Sequence, residues 1–423
     1  MNVIARSEAL TDPADLLLAE VALRIQLTPT QYDIAVSRYQ TIAKWVERDG
    51  SPLAGLVARF YPQGSMSIGA TISSRMDAED YDIDVMVELL LSADTPPQVV
   101  LDMIYEAVRG DPGSRYYDKT ERRTRCVTVH FADMHLDLTP AILVPERLPL
   151  TSWIFHHKPN ARDEPTYRTL ANPYGFAEWY REKTPLDYAF AEAFIGLARE
   201  APGYESIALA EAETEPVPDH EPIVRKSKAL VTLQLTKRWR NNRYQDRAGR
   251  RPPSPLIARL NADAANHTST LSEELEYQGR YMLARFEAAH HQGELIKVTN
   301  PRCGEDVFTD RWPGTMRAQE CFVRDLHDLV AKARRLRQPD CGLDEMRAIM
   351  TNLFGEHPTG AAFEEFNEAL GRAVQSGNVV TDRAGCLNFG RSGIVGGAPV
   401  LLKSKSAEIV PHHTFFGGRW GTW

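Results

Sequence analysis

Apolar positions recur with a helical period at the start of the chain. Asp12-Pro13 reads as an N-cap and first helical position, and Leu16, Leu17, Val21 and Leu23 then supply an apolar side. Thr28-Pro29-Thr30-Gln31 is a capping-box pattern, after which Tyr32, Ala35, Tyr39, Ile42, Ala43 and Val46 follow at helical spacing as far as Gly50. This second spacing predicts a long helix acting as a packing spine. From about 55 to 145 the pattern turns to strand. Residues 85–91 form an apolar run preceded by alternating acids, and Cys126-Val127-Thr128-Val129-His130-Phe131 alternates with period two. Asp133-Met134 reads as a hairpin turn into His135-Leu136-Asp137-Leu138, and 94–110 fits a crossover helix.

After about 190 helical spacing returns, with candidate helices at 226–243, 271–290, 315–336, 343–354 and 361–375. The acid- and proline-rich stretch 211–222 reads as a linker or surface loop. Residues 377–423 hold nine of the 27 glycines and few helical patterns, so they read as a flexible or extended tail. The pattern predicts an α+β chain, with a short mixed sheet followed by helices. Its divisions are 1–50 (N-terminal helices), 51–190 (the core that carries the sheet), 191–376 (helical domain) and the tail.

Composition narrows the class. Hydrophobic residues make up 43% and charged residues 25% of the 423, which is ordinary globular usage and argues against a disordered or collagen-like chain. No apolar run approaches the ~18 residues of a membrane-spanning helix, and the start lacks the apolar region of a signal peptide. A soluble, cytoplasmic protein is the expectation. Cys126, Cys303, Cys321, Cys341 and Cys386 form no CxxC pair, which supports neither a zinc knuckle nor a disulfide framework. The net charge of −8 disfavours a protein that coats long nucleic acids, while leaving a small phosphate-bearing substrate open.

The sharpest chemistry lies in Gly64-Ser65-Met66-Ser67-Ile68-Gly69-Ala70-Thr71-Ile72, followed by Asp80-Tyr81-Asp82-Ile83-Asp84-Val85-Met86-Val87. Side chains alternate across a strand, so Asp82 and Asp84 share one face about 7 Å apart, and Ile83, Val85 and Val87 anchor the other. Asp137 stands between Leu136 and Leu138 on a second strand, so neighbouring strands would bring three carboxylates together. Three carboxylates can hold two Mg²⁺ (or Mn²⁺) ions, the arrangement nucleotidyl transfer needs. Gly64 lets the backbone approach the β- and γ-phosphates closely, and the Ser65 amide and hydroxyl can donate to them.

These runs, with Arg122-Arg123-Thr124-Arg125-Cys126 and Met134 to Ile142, resemble the core of the cGAS/DncV-like nucleotidyltransferases (CD-NTases) of bacteria. Asn172-Pro173-Tyr174-Gly175, Lys237-Arg238-Trp239-Arg240, Asn300-Pro301, Glu305-Asp306-Val307-Phe308 and Asp310-Arg311-Trp312 are similar to further segments of that family, with Asp306 where Asn is more usual. The resemblance implies a polymerase-β-like nucleotidyltransferase palm packed on a helical domain, with the active site between them. It also implies Mg²⁺-dependent synthesis of cyclic di- or trinucleotides from ATP and/or GTP, as alarm signals acting on a separate effector in antiphage defence (CBASS). Accessory regulatory proteins are a further implied partner. By position, Asp82 and Asp84 would ligate both metals, Asp137 would ligate one and help deprotonate the acceptor hydroxyl, and Lys237 would face the donor phosphates. Rival readings are a linear oligonucleotide synthase, an enzyme acting on RNA or protein, and a nucleotide-binding scaffold.

Secondary signals read more blandly. The distal arginines of 237–251, and Arg122, Arg123 and Arg125, are expected at the surface. Tyr174, Trp179, Tyr180 and Trp239 could stack on bases, but core packing is the default. The pairs His156-His157, His290-His291 and His412-His413 read as non-catalytic, and 411–423 as a segment that folds back through its aromatics.

Overall fold

The computed structural model describes residues 10, 12–73, 81–159, 164–201, 203–204, 225–266, 269–375, 379–382, 387–389 and 407–408. The 211–222 stretch, His412-His413 and 411–423 lie outside these residues. Among the described residues, no helix is long and apolar enough to cross a membrane.

The two opening helices form as their caps predict. In α1 (Pro13–Ile25) the Asp12 side chain accepts from the Ala14 amide, and α2 (Pro29–Val46) carries the full Thr28/Gln31 capping box. They serve different cores. α1 is buried on nearly every side within the helical core, whereas α2 buries only Ala35, Ile42 and Val46, all against the sheet core.

The sheet contains β1 (Val57–Gln63), β2 (Tyr81–Leu89), β3 (Thr120–Arg122), β4 (Val127–His130), β5 (Met134–Leu143), β6 (Ser152–His156) and β7 (Tyr167–Ala171). Its order is β1-β2-β5-β4-β3, with β6 on β5 and β7 on β6. Only β2 and β5 run parallel, and α4 (Pro97–Arg109) makes the crossover between them. The sheet is therefore mixed, as its sequence pattern predicts. The β4–β5 hairpin turns where expected, closed by the Phe131 amide donating to the Met134 carbonyl at 2.9 Å.

The helical half comprises α5 (Pro173–Lys183), α6 (Tyr188–Glu200), α7 (Lys228–Tyr244), α8 (Ser254–Ala264), α9 (Leu271–His291), α10 (Met316–Leu336), α11 (Leu343–Phe354) and α12 (Glu356–Gln375). α12 begins earlier than its apolar spacing suggests, because Pro358 sits in the first turn, where a missing amide costs nothing. Helices α5, α6 and α8 escaped the periodicity reading, and so did strands β6 and β7, whose burial does not alternate. A short hairpin, β8 (Thr299–Asn300) with β9 (Cys303–Val307), also belongs to this half. From the glycine-rich end, Val379–Asp382, Leu387–Phe389 and Ala407–Glu408 pair as a three-stranded sheet.

Two buried asparagines tie the halves together. Asn172 caps α5 by accepting from the Gly175 amide at 2.7 Å, and its Nδ2 donates to Thr151 Oγ1 at 2.8 Å. Asn300 Nδ2 then donates to the Asn172 carbonyl at 2.8 Å and to Asp306 Oδ2 at 3.0 Å. The two Asn-Pro segments are therefore one connected unit at the edge of the cleft. Replacing Asn172 by Ala removes a cap and leaves the Thr151 hydroxyl short of a partner, so we expect a loss of about 2–4 kcal/mol in urea unfolding.

Candidate active site

Strand β2 sorts its side chains as alternation requires. Ile83, Val85 and Val87 are fully buried in the sheet core, while Asp82 and Asp84 lie on the cleft face. In the parallel β2–β5 register Asp84 stands opposite Asp137 and Asp82 opposite His135. Leu136 and Leu138 are fully buried, and Thr128 on β4 donates its hydroxyl to Asp137 Oδ1. The three acids named from sequence are thus neighbours. Burial first, then the Asp137 and Asp82 charges, pushes Asp84 up to about 7; Lys237 works the other way. Burial, then the Asp137 charge, also raises Asp82.

Gly64 is required by two constraints at once. Its φ is +59°, and a Cβ added there would stand 2.7 Å from Asp84 Oδ2. It opens the single turn α3 (Gly64–Ser67), which lays Ser65 beside the acids.

Helix α7 grips the chain that follows. The Lys237 ammonium donates to Ser65 Oγ and to the Ala70 carbonyl, both at 2.7 Å. Gln234 Nε2, one turn earlier, donates to the Thr71 carbonyl at 3.1 Å, and Leu230 lies under Gly69. The face shared by Leu230, Gln234 and Lys237 is therefore the face that holds 65–71. Lys237 is only 4% exposed. Burial and then the Arg240 charge draw it down to about 7, partly offset by Asp84 and Asp82.

The acids fit a divalent ion in kind. They are hard oxygen donors sharing one face, next to a glycine turn with no room for a side chain. Among the described residues, no three acidic, histidine or cysteine side chains form a ready-made cage. Mg²⁺ seldom uses one, being held by one or two carboxylates together with substrate phosphates.

Sheet face and helical half enclose a cleft of about 1130 Å³. Gly64, Ser65, Asp82, Asp84 and Lys237 all line it. The arginines correct the sequence reading in part. Arg250 and Arg251 are exposed, as expected, yet they also line the cleft, because α7 ends at Tyr244 and the chain doubles back through Gly249 at φ +97°. Arg243 and Arg247 turn outward to Asp325. Arg125 also lines the cleft, bonded to Asp310 at 2.6 Å, and Arg122 packs against Asp102. A dense basic run was the only available signal, and periodicity could not show which members return to the site. Trp179, Tyr180 and Trp239 are core residues, and Tyr174 stands exposed. The aromatics at the cleft are instead Tyr81, Phe176, Tyr244, Phe308 and Trp312.

A glycine-serine turn laid against paired strand carboxylates, facing a basic helix across a cleft of nucleotide size, defines a nucleotidyltransferase. Residues 17–183 match the Second Messenger Oligonucleotide or Dinucleotide Synthetase (SMODS) domain. The chain is 37% identical over 411 residues to the cyclic dinucleotide synthase CdnG of Bradyrhizobium diazoefficiens, covering 96% of this chain and 95% of that protein. It is 24% identical over 379 residues to the c-di-GMP synthase of Roseivirga ehrenbergii, covering 87% and 92%. The solved structure of the Bradyrhizobium CD-NTase CdnG in complex with GTP is 36% identical, with a TM-score of 0.72 over 84% of this chain and 99% of that one. The chain belongs to the CD-NTase family, and its palm-and-helical-domain fold is that of these enzymes.

Gly64→Ala should displace the Asp84 carboxylate while leaving both cores intact. We expect pyrophosphate release to fall by roughly 100-fold with an unchanged circular dichroism spectrum.

Proposed function

We propose that the protein joins two GTP molecules into a cyclic dinucleotide, using Mg²⁺ held by Asp82, Asp84 and Asp137. The observation that carries this is the convergence of those acids on the Gly64–Ser65 turn, clamped from the opposite half by Lys237. When bound, divalent metal would lower the pKa of the attacking hydroxyl and screen the leaving pyrophosphate. The Gly64–Ser65 turn and Lys237 bind and orient the donor triphosphate. Asp137, oriented by Thr128, receives the proton of the acceptor hydroxyl. That oxygen bonds to the α-phosphorus as the bond to pyrophosphate breaks. A second round on the linear intermediate closes the ring. In the antiphage role that the family resemblance implies, the released product acts on a separate effector.

Guanine is favoured by the cleft's acids. Among the described residues four carboxylates line it: Asp82 and Asp84 would hold the metals, and Asp310 is bonded to Arg125. Asp306 remains, steadied by Asn300. A carboxylate accepts from guanine's N1–H and N2–H together, whereas it meets an acceptor at adenine N1. The names of the relatives, a c-di-GMP synthase and a CdnG bound to GTP, agree with this choice.

Two outcomes test the reading. Incubation with NTPs and Mg²⁺ should give a phosphatase-resistant product from GTP, lost on chelation and in Asp84→Asn. In metal-free buffer Asp84→Asn should melt higher than the wild type, because one of three mutually repelling carboxylates is gone, and Mn²⁺ should raise the melting point of the wild type alone. A variant that keeps its activity would sink the metal assignment. Separately, Asp306→Asn should lower the GTP-over-ATP preference by about 5–150-fold in competition assays. Unchanged preference would remove Asp306 from base selection.

A further inference from the structure

A second lysine is buried close to the segment that Lys237 grips. Lys226 stands just ahead of Ser227, the N-cap of α7, and is 3% exposed. Its ammonium donates to two side-chain carbonyls, Gln26 Oε1 and, at 3.1 Å, Gln234 Oε1. Among the described residues no carboxylate pairs with it, and burial alone draws it down to about 7. Lys237 has Asp84 and Asp82 to offset its burial; Lys226 has no such charge. A buried charge that lacks an opposite charge is costly to the fold. Stability therefore gives no reason for a lysine here, and its two acceptors supply one.

A carboxamide has one acceptor end and one donor end. The ammonium takes the oxygen end of both glutamines and so fixes which way each amide faces. Gln234 then presents Nε2 to its other side, where it donates to the Thr71 carbonyl at 3.1 Å. Gln26 pays for its orientation: its Nε2 has no hydrogen-bond partner although the residue is fully buried. An unpaired buried donor is a cost, set here by the ammonium on the oxygen of the same amide. Gln26 is the C-cap of α1 and pairs with Ile72 in an antiparallel bridge, and the Ser73 amide donates to the Ile25 carbonyl at 2.7 Å. Residues 71–73 are thus tied to both α1 and α7, whose glutamines Lys226 joins. Thr71, Ile72 and Ser73 line the cleft, whereas Lys226, Gln26 and Gln234 stand behind its wall. Helix α7 therefore holds two successive carbonyls of this segment, Ala70 through Lys237 directly and Thr71 through the Lys226–Gln234 pair. The turn that precedes them has no slack, because at Gly64 even a Cβ would meet Asp84 Oδ2 at 2.7 Å. A small shift of 70–73 is felt at the carboxylate.

We propose that Lys226 is a positioning residue for nucleotidyl transfer: by orienting Gln234 it fixes the path of 71–73, and with it the seat of the Gly64–Ser65 turn against Asp84. This rests on the reading of the protein as a synthase. Lys226 itself touches neither substrate nor metal, and its charge acts through one amide on one backbone carbonyl. The arrangement trades stability for geometry, so its removal should harm catalysis without harming the fold.

Two variants of the full chain test this, each assayed for pyrophosphate release from GTP with Mg²⁺ and for its melting point. Lys226→Met keeps an apolar stem and removes the ammonium. Gln234→Glu keeps an acceptor for Lys226 and gives it a counter-charge, but its carboxylate has no N–H for the Thr71 carbonyl. We expect kcat to fall about tenfold or more in both, with the KM for GTP changed by less than about threefold, because misplacement is felt most in the transition state. Both variants should melt no lower than the wild type. A purely structural lysine gives the opposite pattern, a lowered melting point with kcat preserved in the folded fraction. That pattern overturns the proposal, as does wild-type kcat in either variant or a loss of activity that follows the loss of folded protein. Gln234→Glu keeps the test open if Lys226→Met folds poorly. A wild-type protein that makes no product from any NTP overturns the synthase reading itself, and the positioning role with it.

Discussion

One buried ammonium holds the site together. Lys237 reaches from a helix of one half to the glycine-serine turn of the other, and both of its hydrogen bonds, to Ser65 and Ala70, cross that boundary. Removing a charge from water costs several kcal/mol unless hydrogen bonds and opposite charges return it. Asp84 and Asp82 supply the opposite charge without bonding to the lysine. The position of the turn, and with it the approach of phosphate to the carboxylates, is therefore fixed by tertiary packing of α7, because a four-residue turn has no stability of its own.

The parts of the site legible in sequence are those whose geometry is local. Alternation along β2 puts Asp82 and Asp84 on one face, and Leu136 and Leu138 on β5 force Asp137 to the other side of its strand from the core. Helical spacing alone places Leu230, Gln234 and Lys237 in line. The parts that were not legible depend on where the chain goes after an element ends. Arg250 and Arg251 return to the cleft because Gly249 adopts a left-handed turn ahead of two prolines, and no period in 237–251 encodes that. Arg125 is drawn inward by Asp310, 185 residues away. A contact of that separation is written in neither segment by itself.

Core assignment shows the same limit. The spacing of α1 and α2 identifies two amphipathic helices but does not say that they part company, one entering the helical core and the other covering the sheet. Of the aromatics singled out in the sequence, Trp179, Tyr180 and Trp239 are buried in the helical core. Phe176 and Trp312 belong to the same core and also line the cleft, where Phe176 packs edge to face on Phe308 at 5.0 Å.

The net charge of −8 conceals an arrangement of opposite fields. Asp82 and Asp84 line one wall, with Asp137 on the strand beside them, and several arginines line the others, yet the acids and Lys237 do not neutralise one another by contact: Lys237 is committed to Ser65 and Ala70, and Asp137 to Thr128. Burial, more than any neighbour, pushes Asp84 up to about 7 and draws Lys237 down to about 7, so both walls hold their charge at a cost. A ligand that carries both signs, a divalent cation bound to a triphosphate, relieves both walls at once, whereas either component alone relieves one and aggravates the other. Under the proposed reaction, that constraint favours a metal-nucleotide complex over a bare polyanion. It also reconciles a net negative charge with a locally basic cleft suited to a small phosphate compound.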